Sequence, residues 1–265
     1  MKVSLCDVSK VFEDGQSPLA ALAPITLEIS TGEFIAFIGP SGCGKSTLLR
    51  LVGDQIKPTR GHILLDGSPP SKVRARKAIG WMAQSPALLP WASVLENVRL
   101  PLKINQEHRR PAPSPETLLE MMDLLDFAPA YPRTLSGGMQ QRVALARTLS
   151  IGAPLWLMDE PFAALDALTR EALADEVLRL WLEFRPTILW VTHNIGEAVR
   201  LADRVVVLTA RPGHVRAVVE IPYPRPRDTT AHEIASLVRK LRELLGNKSV
   251  TAPSPSISRR LPCKR

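Results

Sequence analysis

Cysteine is scarce in this sequence. Three of 265 residues, Cys6, Cys43 and Cys263, are too few and too scattered for a disulfide framework or a zinc site, which points to a reducing, cytoplasmic setting. Long apolar runs are missing too. None approaches the roughly 18 residues that span a bilayer, and the opening MKVSLCDVSK lacks the apolar stretch of a secretory signal. The chain is expected neither to cross a membrane nor to leave the cell by that route. The body also lacks a strong charge. Of the net +8, five charges (Lys248, Arg259, Arg260, Lys264, Arg265) fall in residues 247–265, which hold no acid, leaving +3 for the rest. A nucleic-acid partner therefore draws little support from charge. What is present, 45% hydrophobic and 23% charged residues, is the composition of a globular chain long enough to bury a core without staples.

Short β-rich runs at 26–29, 34–38, 62–65, 155–158, 188–192 and 204–208 alternate with helical spacing. Several are apolar at successive positions, as strands covered on both faces are, so an α/β sheet with helices on both sides is expected. Between about Pro86 and Ala153 the spacing turns helical, as in Leu118, Met121, Met122 and Leu125, and predicts an inserted helical lobe without strands. A Pro-rich connection over 219–228 follows the last core strand. Apolar residues at Ile234, Leu237, Val238, Leu241 and Leu245 then predict an amphipathic helix over about 228–245, ended by Gly246. Residues 247–265 read as a disordered basic tail, whose charge would favour an anionic membrane surface.

The chemistry lies in the loops. Gly39, Pro40, Ser41, Gly42, Cys43, Gly44, Lys45 and Ser46 match G-x-x-x-x-G-K-[ST] between an apolar strand and a helix, the context in which bare amides and a helix N-terminus cradle phosphate. Lys45 would reach the β and γ phosphates of a nucleotide, and Ser46 would ligate Mg2+. Cys43 reads as a small space-filler, with an acidified thiolate the alternative. Asp159 and Glu160 end an apolar strand at the edge where α/β proteins place their sites. Adjacent acids there would divide the work, Asp159 holding Mg2+ through water and Glu160 polarising an attacking water.

Ser136, Gly137 and Gly138 open a helix with a good cap and bare amides, either a simple N-cap or a second anion site. A site in the other lobe makes most sense if it covers the γ phosphate of a nucleotide held by a different copy, which suggests a head-to-tail dimer around two ATP molecules. Alone, His193 at a strand end is more often structural than functional, and Gln84 is a polar loop residue.

Taken in order, Gly39–Ser46, Gln84, LSGGMQQR at 135–142, LWLMDE at 155–160, ALD at 164–166 and His193 resemble the nucleotide-binding subunit of an ABC transporter over about Lys2 to Leu245. The resemblance implies a P-loop NTPase core of RecA type, with an N-terminal antiparallel β subdomain and an inserted helical subdomain. It implies that Phe12 stacks on adenine, with Pro40, Ser41 and Thr47 also in the nucleotide site. It further implies that Gln84 senses the γ phosphate beside the metal and couples to the membrane partner, that Ser136 and Gly138 act across the dimer, that Asp166 communicates between sites, and that His193 steadies the transferring phosphate. Residues 84–101 and 210–228 are similar to stretches in the ATPases of importers for nitrate, taurine and other sulfonates. The chain is expected to lack the regulatory domain that follows the nucleotide-binding domain in sugar-importer ATPases.

The partners so implied are a second copy, an integral permease and an extracytoplasmic solute-binding protein, with the subunit peripheral on the cytoplasmic face of the inner membrane and no nucleic acid bound. An exporter subunit, or an ATPase acting on DNA or ribosomes, is the competing reading. The apolar group Leu88, Leu89, Pro90 and Trp91 is either a permease contact or packing of the helical lobe.

Overall fold

Which faces the strands cover decides the architecture of the computed structural model, which describes residues 1–14, 17–105, 110–227 and 231–246. Strands β1 (Val3–Asp14) and β2 (Ser17–Ile29) pair antiparallel, Val3 opposite Ile29, and β4 (Arg60–Leu65) lies on the other side of β1. In β2, Ile25, Leu27 and Ile29 are buried while Thr26 and Glu28 face out, the period-2 pattern of a sheet with one covered face. The second sheet has the order β5-β6-β7-β3-β8-β9. Its strands β5 (Ile79–Met82), β6 (Leu155–Asp159), β7 (Thr187–Val191), β3 (Phe34–Ile38) and β8 (Arg204–Leu208) run parallel, and β9 (Val215–Glu220) closes the edge antiparallel.

Every residue of β3, β6 and β7 is buried, so their unbroken apolar runs are covered on both sides. Alternate residues feed two cores. Ile35, Phe37, Leu189 and Val191 join the face carrying α1 (Lys45–Val52) and the antiparallel sheet. Phe34, Ala36, Trp156 and Trp190 join the face carrying α6 (Ala167–Phe184), α7 (Ile195–Leu201) and α8 (His232–Gly246). The helices α3 (Val94–Ile104), α4 (Pro115–Met121) and α5 (Gly137–Leu149) add Val94, Leu118 and Val143 to this second cluster, so the helical lobe shares its core with the parallel sheet. Ser93, Ser114 and Ser136 cap α3, α4 and α5. The short α2 (Pro70–Ala75) leads into β5.

The architecture is the expected α/β core with an antiparallel β sheet and helical lobe, and no strand occurs between 86 and 153 among the described residues. Four local readings differ. The spacing of Leu118, Met121, Met122 and Leu125 suggests one helix, but α4 ends at Met121, Asp123 turns left-handed (φ 53°), and Leu125 opens a short 3-10 turn with its side chain exposed. Residues 79–82 form a strand that four residues were too short to announce. The Pro-rich connection starts at Ile221, because Val219 and Glu220 still pair with β8 as part of β9. The C-terminal helix begins at His232 and not near 228; Asp228 to Thr230 and the tail 247–265 lie outside the described residues.

That connection is anchored by two arginines. Arg225 stacks on Trp181 at 4.5 Å and pairs with Asp203 at 2.8 Å. Arg227 is buried, and its guanidinium donates to the carbonyls of Val199 (2.8 Å), Ala202 (2.6 Å), Tyr223 (2.9 Å) and Ile221 (3.2 Å), closing the C-terminal end of α7. Arg227→Ala strands these acceptors and is expected to cost about 3 kcal/mol in urea unfolding. A loss below about 1 kcal/mol would show that water replaces the guanidinium freely.

Candidate nucleotide site

Strand β3 delivers the chain into a turn that only small residues can follow. Gly44 precedes α1 at φ 97°, and a Cβ there would sit 2.5 Å from the Leu22 side chain and 2.9 Å from the Ala21 carbonyl. The turn curls around its own lysine. Lys45, 6% exposed, donates from Nζ to the carbonyls of Gly39 (2.8 Å) and Pro40 (3.0 Å), with Cys43 Sγ at 3.7 Å. Cys43 is buried against Gly39, where any larger side chain would crowd the turn.

The next residue ties the turn to a second strand. Ser46 Oγ donates to Asp159 Oδ1 at 2.9 Å. Burial pushes the Asp159 carboxyl above its usual range, the bond from Ser46 opposes that, and the neighbouring Glu160 adds to it. Glu160 turns the other way. Its backbone is left-handed (φ 48°), its N–H is held by the Val191 carbonyl at 2.9 Å, and Oε2 lies 3.2 Å from His193 Nδ1. The two adjacent acids thus have separate partners, a hydroxyl on the phosphate turn and an imidazole at the end of β7.

A cleft of about 290 Å³ runs past these groups. Phe12, Ser41, Gly42, Gly44, Lys45, Ser46, Thr47, Gln84 and Glu160 line it, so half of the sequence-predicted residues meet here. Lys10 Nζ lies over the Phe12 ring, 5.1 Å from its centroid. Gly39, Pro40, Cys43, Asp159 and His193 flank the cleft through the contacts above. Ser136, Gly137, Gly138 and Asp166 are not among its walls. Ser136 is exposed and caps α5, accepting from the Met139 N–H at 3.2 Å. A Cβ on Gly137 would meet nothing within 4 Å, and one on Gly138 would lie 3.2 Å from the Ala164 carbonyl. Asp166 caps α6, and the bonds it accepts from the Thr169 amide and hydroxyl hold its carboxyl low.

Among the described residues no group of three or more His, Cys, Asp or Glu side chains could hold a metal by itself. The donors present, one hydroxyl and one buried carboxylate beside a phosphate turn, suit a hard cation that takes its other ligands from phosphate and water. The sequence missed Arg211, which enters the cleft from the β8–β9 turn. Its only signal was its place in the 210–228 stretch.

A strand, glycine turn and helix bearing Lys45 and Ser46, with an acid-ended strand beside them, define a P-loop nucleoside triphosphatase. The chain belongs to the ABC transporter family, whose model, described as ABC transporter, matches residues 22–163. It is 43% identical over 228 residues to the nitrate import ATP-binding protein of Synechococcus elongatus, covering 84% of this chain and 82% of that protein. Likewise, it is 37% identical over 235 residues to an aliphatic sulfonates import ATP-binding protein of Bacillus cereus, covering 88% and 92%. A solved dimeric ATP-binding cassette in a post-hydrolysis state with ADP and Pi superposes with TM-score 0.74 at 36% identity, over 84% of this chain and all of that one. The chain is an ATP-binding ATPase of this family.

Behind His193, Glu197 is buried on α7 and accepts from Trp190 Nε1. Burial, opposed by bonds from Trp190 and Thr192 and by the charges of Arg170 and His193, pushes its pKa from 4.5 up to about 7. The fold therefore holds this proton more tightly than the unfolded chain does. The resulting stabilisation is complete below pH 4.5 and lost as pH rises through about 7, in all about 3 kcal/mol. Glu197→Gln keeps an acceptor for Trp190 and removes the titration, so its unfolding free energy should vary less between pH 4.5 and 7 than that of the wild type. Parallel pH profiles would refute the assignment.

Proposed function

We propose that this chain is the ATP-hydrolysing subunit that drives import of a small anion, of the nitrate or sulfonate class, through a membrane permease. The observation that carries the chemistry is the separate pairing of Ser46 with Asp159 and of Glu160 with His193 beside one phosphate turn. Phe12 takes the adenine face, the amides of Gly42 to Thr47 take phosphate oxygens, and Lys45 leaves the Gly39 and Pro40 carbonyls for the β and γ phosphates. Ser46, Asp159 and Gln84 would hold Mg2+, which supplies positive charge to the phosphates. Glu160 accepts the proton of the attacking water, and His193 orients that carboxylate and meets the γ phosphate. The exposed start of α5, with Ser136, Gly137 and Gly138, completes the site of a second copy, and Asp166 lies at the same dimer face.

Import is supported by the relatives named for it, and a permease partner by the apolar group after Gln84. Leu88 packs against the core, whereas Trp91 is 74% exposed. Asn97 steadies this loop, accepting from the Leu89 N–H at 2.8 Å and donating to the carbonyls of Leu89, Ala92 and Ser93. A fixed, exposed indole is a fitting anchor for a permease segment. Among the described residues no helix is long and apolar enough to cross a membrane. We place the subunit peripherally on the cytoplasmic face of the cell membrane, with a solute-binding protein on the far side.

Glu160→Gln should lower ATP turnover at least about 100-fold while ATP binding persists; normal turnover would remove Glu160 as the base. Affinity purification from gently solubilised native membranes should recover a polytopic permease with the wild type. Recovery with ribosomal proteins or nucleic acid in its place would overturn transport. Trp91→Ala should lose the permease while keeping soluble ATPase activity and melting temperature, and a lowered melting temperature would make the indole a packing residue.

A further inference from the structure

We infer that Arg211 is a second phosphate-binding cation of the nucleotide site, acting on the part of the polyphosphate that ADP and ATP share. The inference rests on the ATP-binding reading above. Arg211 sits in the turn between β8 and β9, and this turn is fixed at three points. The Gly213 N–H donates to the Ala21 carbonyl (3.0 Å), the Ala23 N–H donates to the Gly213 carbonyl (2.9 Å), and a Cβ on Gly213 would lie 1.9 Å from the Cys43 carbonyl. No side chain fits there, so the turn lies directly against the phosphate turn and β2.

Arg211 extends this contact. Its Nε donates to the Gly42 carbonyl at 2.8 Å, which orients the planar guanidinium along the cleft wall. Nη1 and Nη2 make no hydrogen bond among the described residues, and Arg211 is exposed on a wall that also carries Lys45. A guanidinium with one nitrogen pinned and its fork free, beside a turn that presents amides to phosphate, is matched to phosphate oxygens.

The sheet order selects which phosphates. In β5-β6-β7-β3-β8-β9, the turn that follows β3 has Gln84 and Glu160, at the ends of β5 and β6, on one side and the β8–β9 turn on the other. Arg211 thus approaches from the flank bonded to β2, opposite Glu160. Its contact serves the nucleotide's inner phosphates and not the γ phosphate under attack.

Calorimetric titration of the full chain with ADP, and with ATP in the presence of chelator, tests this. Arg211→Gln should weaken both nucleotides alike, by about tenfold at low salt. In 1 M salt, where screening acts within about 3 Å, the difference should shrink to threefold or less. Arg211→Lys, which keeps the charge but loses the fork and the bond to Gly42, should recover only part of that loss at low salt. Three results would overturn the inference: affinity unchanged in Arg211→Gln, a loss equal at both salt concentrations as a slackened turn would give, or a loss confined to ATP. Failure of the wild type to bind either nucleotide would instead strike the ATP-binding reading itself.

Discussion

The hydrogen bond from Ser46 to Asp159 spans a strand. β3 and β6 are not neighbours, since β7 lies between them, yet the first turn of α1 and the last residue of β6 meet at 2.9 Å. That contact requires β3, β7 and β6 to end in register and the phosphate turn to fold back over the sheet edge. Full burial of these three strands supplies the rigidity. Their alternate residues are clamped between two apolar clusters, so a slip of one residue would exchange every side chain between cores of different shape. The site's geometry is therefore a property of the sheet, and the glycines only make the last step sterically possible.

The same edge sorts two carboxylates that are adjacent in sequence. Asp159 is the last residue of the strand and inherits its burial. Glu160 leaves the strand with a left-handed backbone, which swings its side chain toward His193. A non-glycine residue in that conformation is strained. The strain is held by the hydrogen bond from its own N–H to Val191 and by Phe162, which packs edge-on against Trp190 at 4.9 Å. Different partners for neighbouring acids thus follow from one backbone angle.

Much of this was legible in the sequence, because motif and context agreed. The run at 34–38, then the glycine turn, then helical spacing put Lys45 and Ser46 at a helix start, and the acids after 155–158 fell at the matching edge. What stayed hidden depended on contacts distant in sequence. Arg211 is an exposed turn residue whose placement comes from Gly213 lying on Cys43, and no local pattern carries that. Leu125 continues a helical period, but Asp123 breaks the backbone first. β9 is a two-sided edge strand without clean alternation, so its end merged with the prolines that follow. Ser136 was readable as a helix cap and Asp166 was not, and a single chain shows both as caps.

Helix α5 contributes no wall to the cleft, yet it touches two of the loops beside it. Near its start Gly138 rests against the Ala164 carbonyl, in the loop that begins at Glu160. Toward its end Arg147 grips the carbonyls of Pro86 (2.6 Å) and Ala87 (2.9 Å), in the loop that runs from Gln84 to Trp91. Thirteen helical residues make a rod of about 20 Å. A helix in contact with both loops offers a load applied at the Trp91 loop a path to the acid's loop. The chain therefore carries a direct helical link between the loop of Trp91 and the loop of the acid.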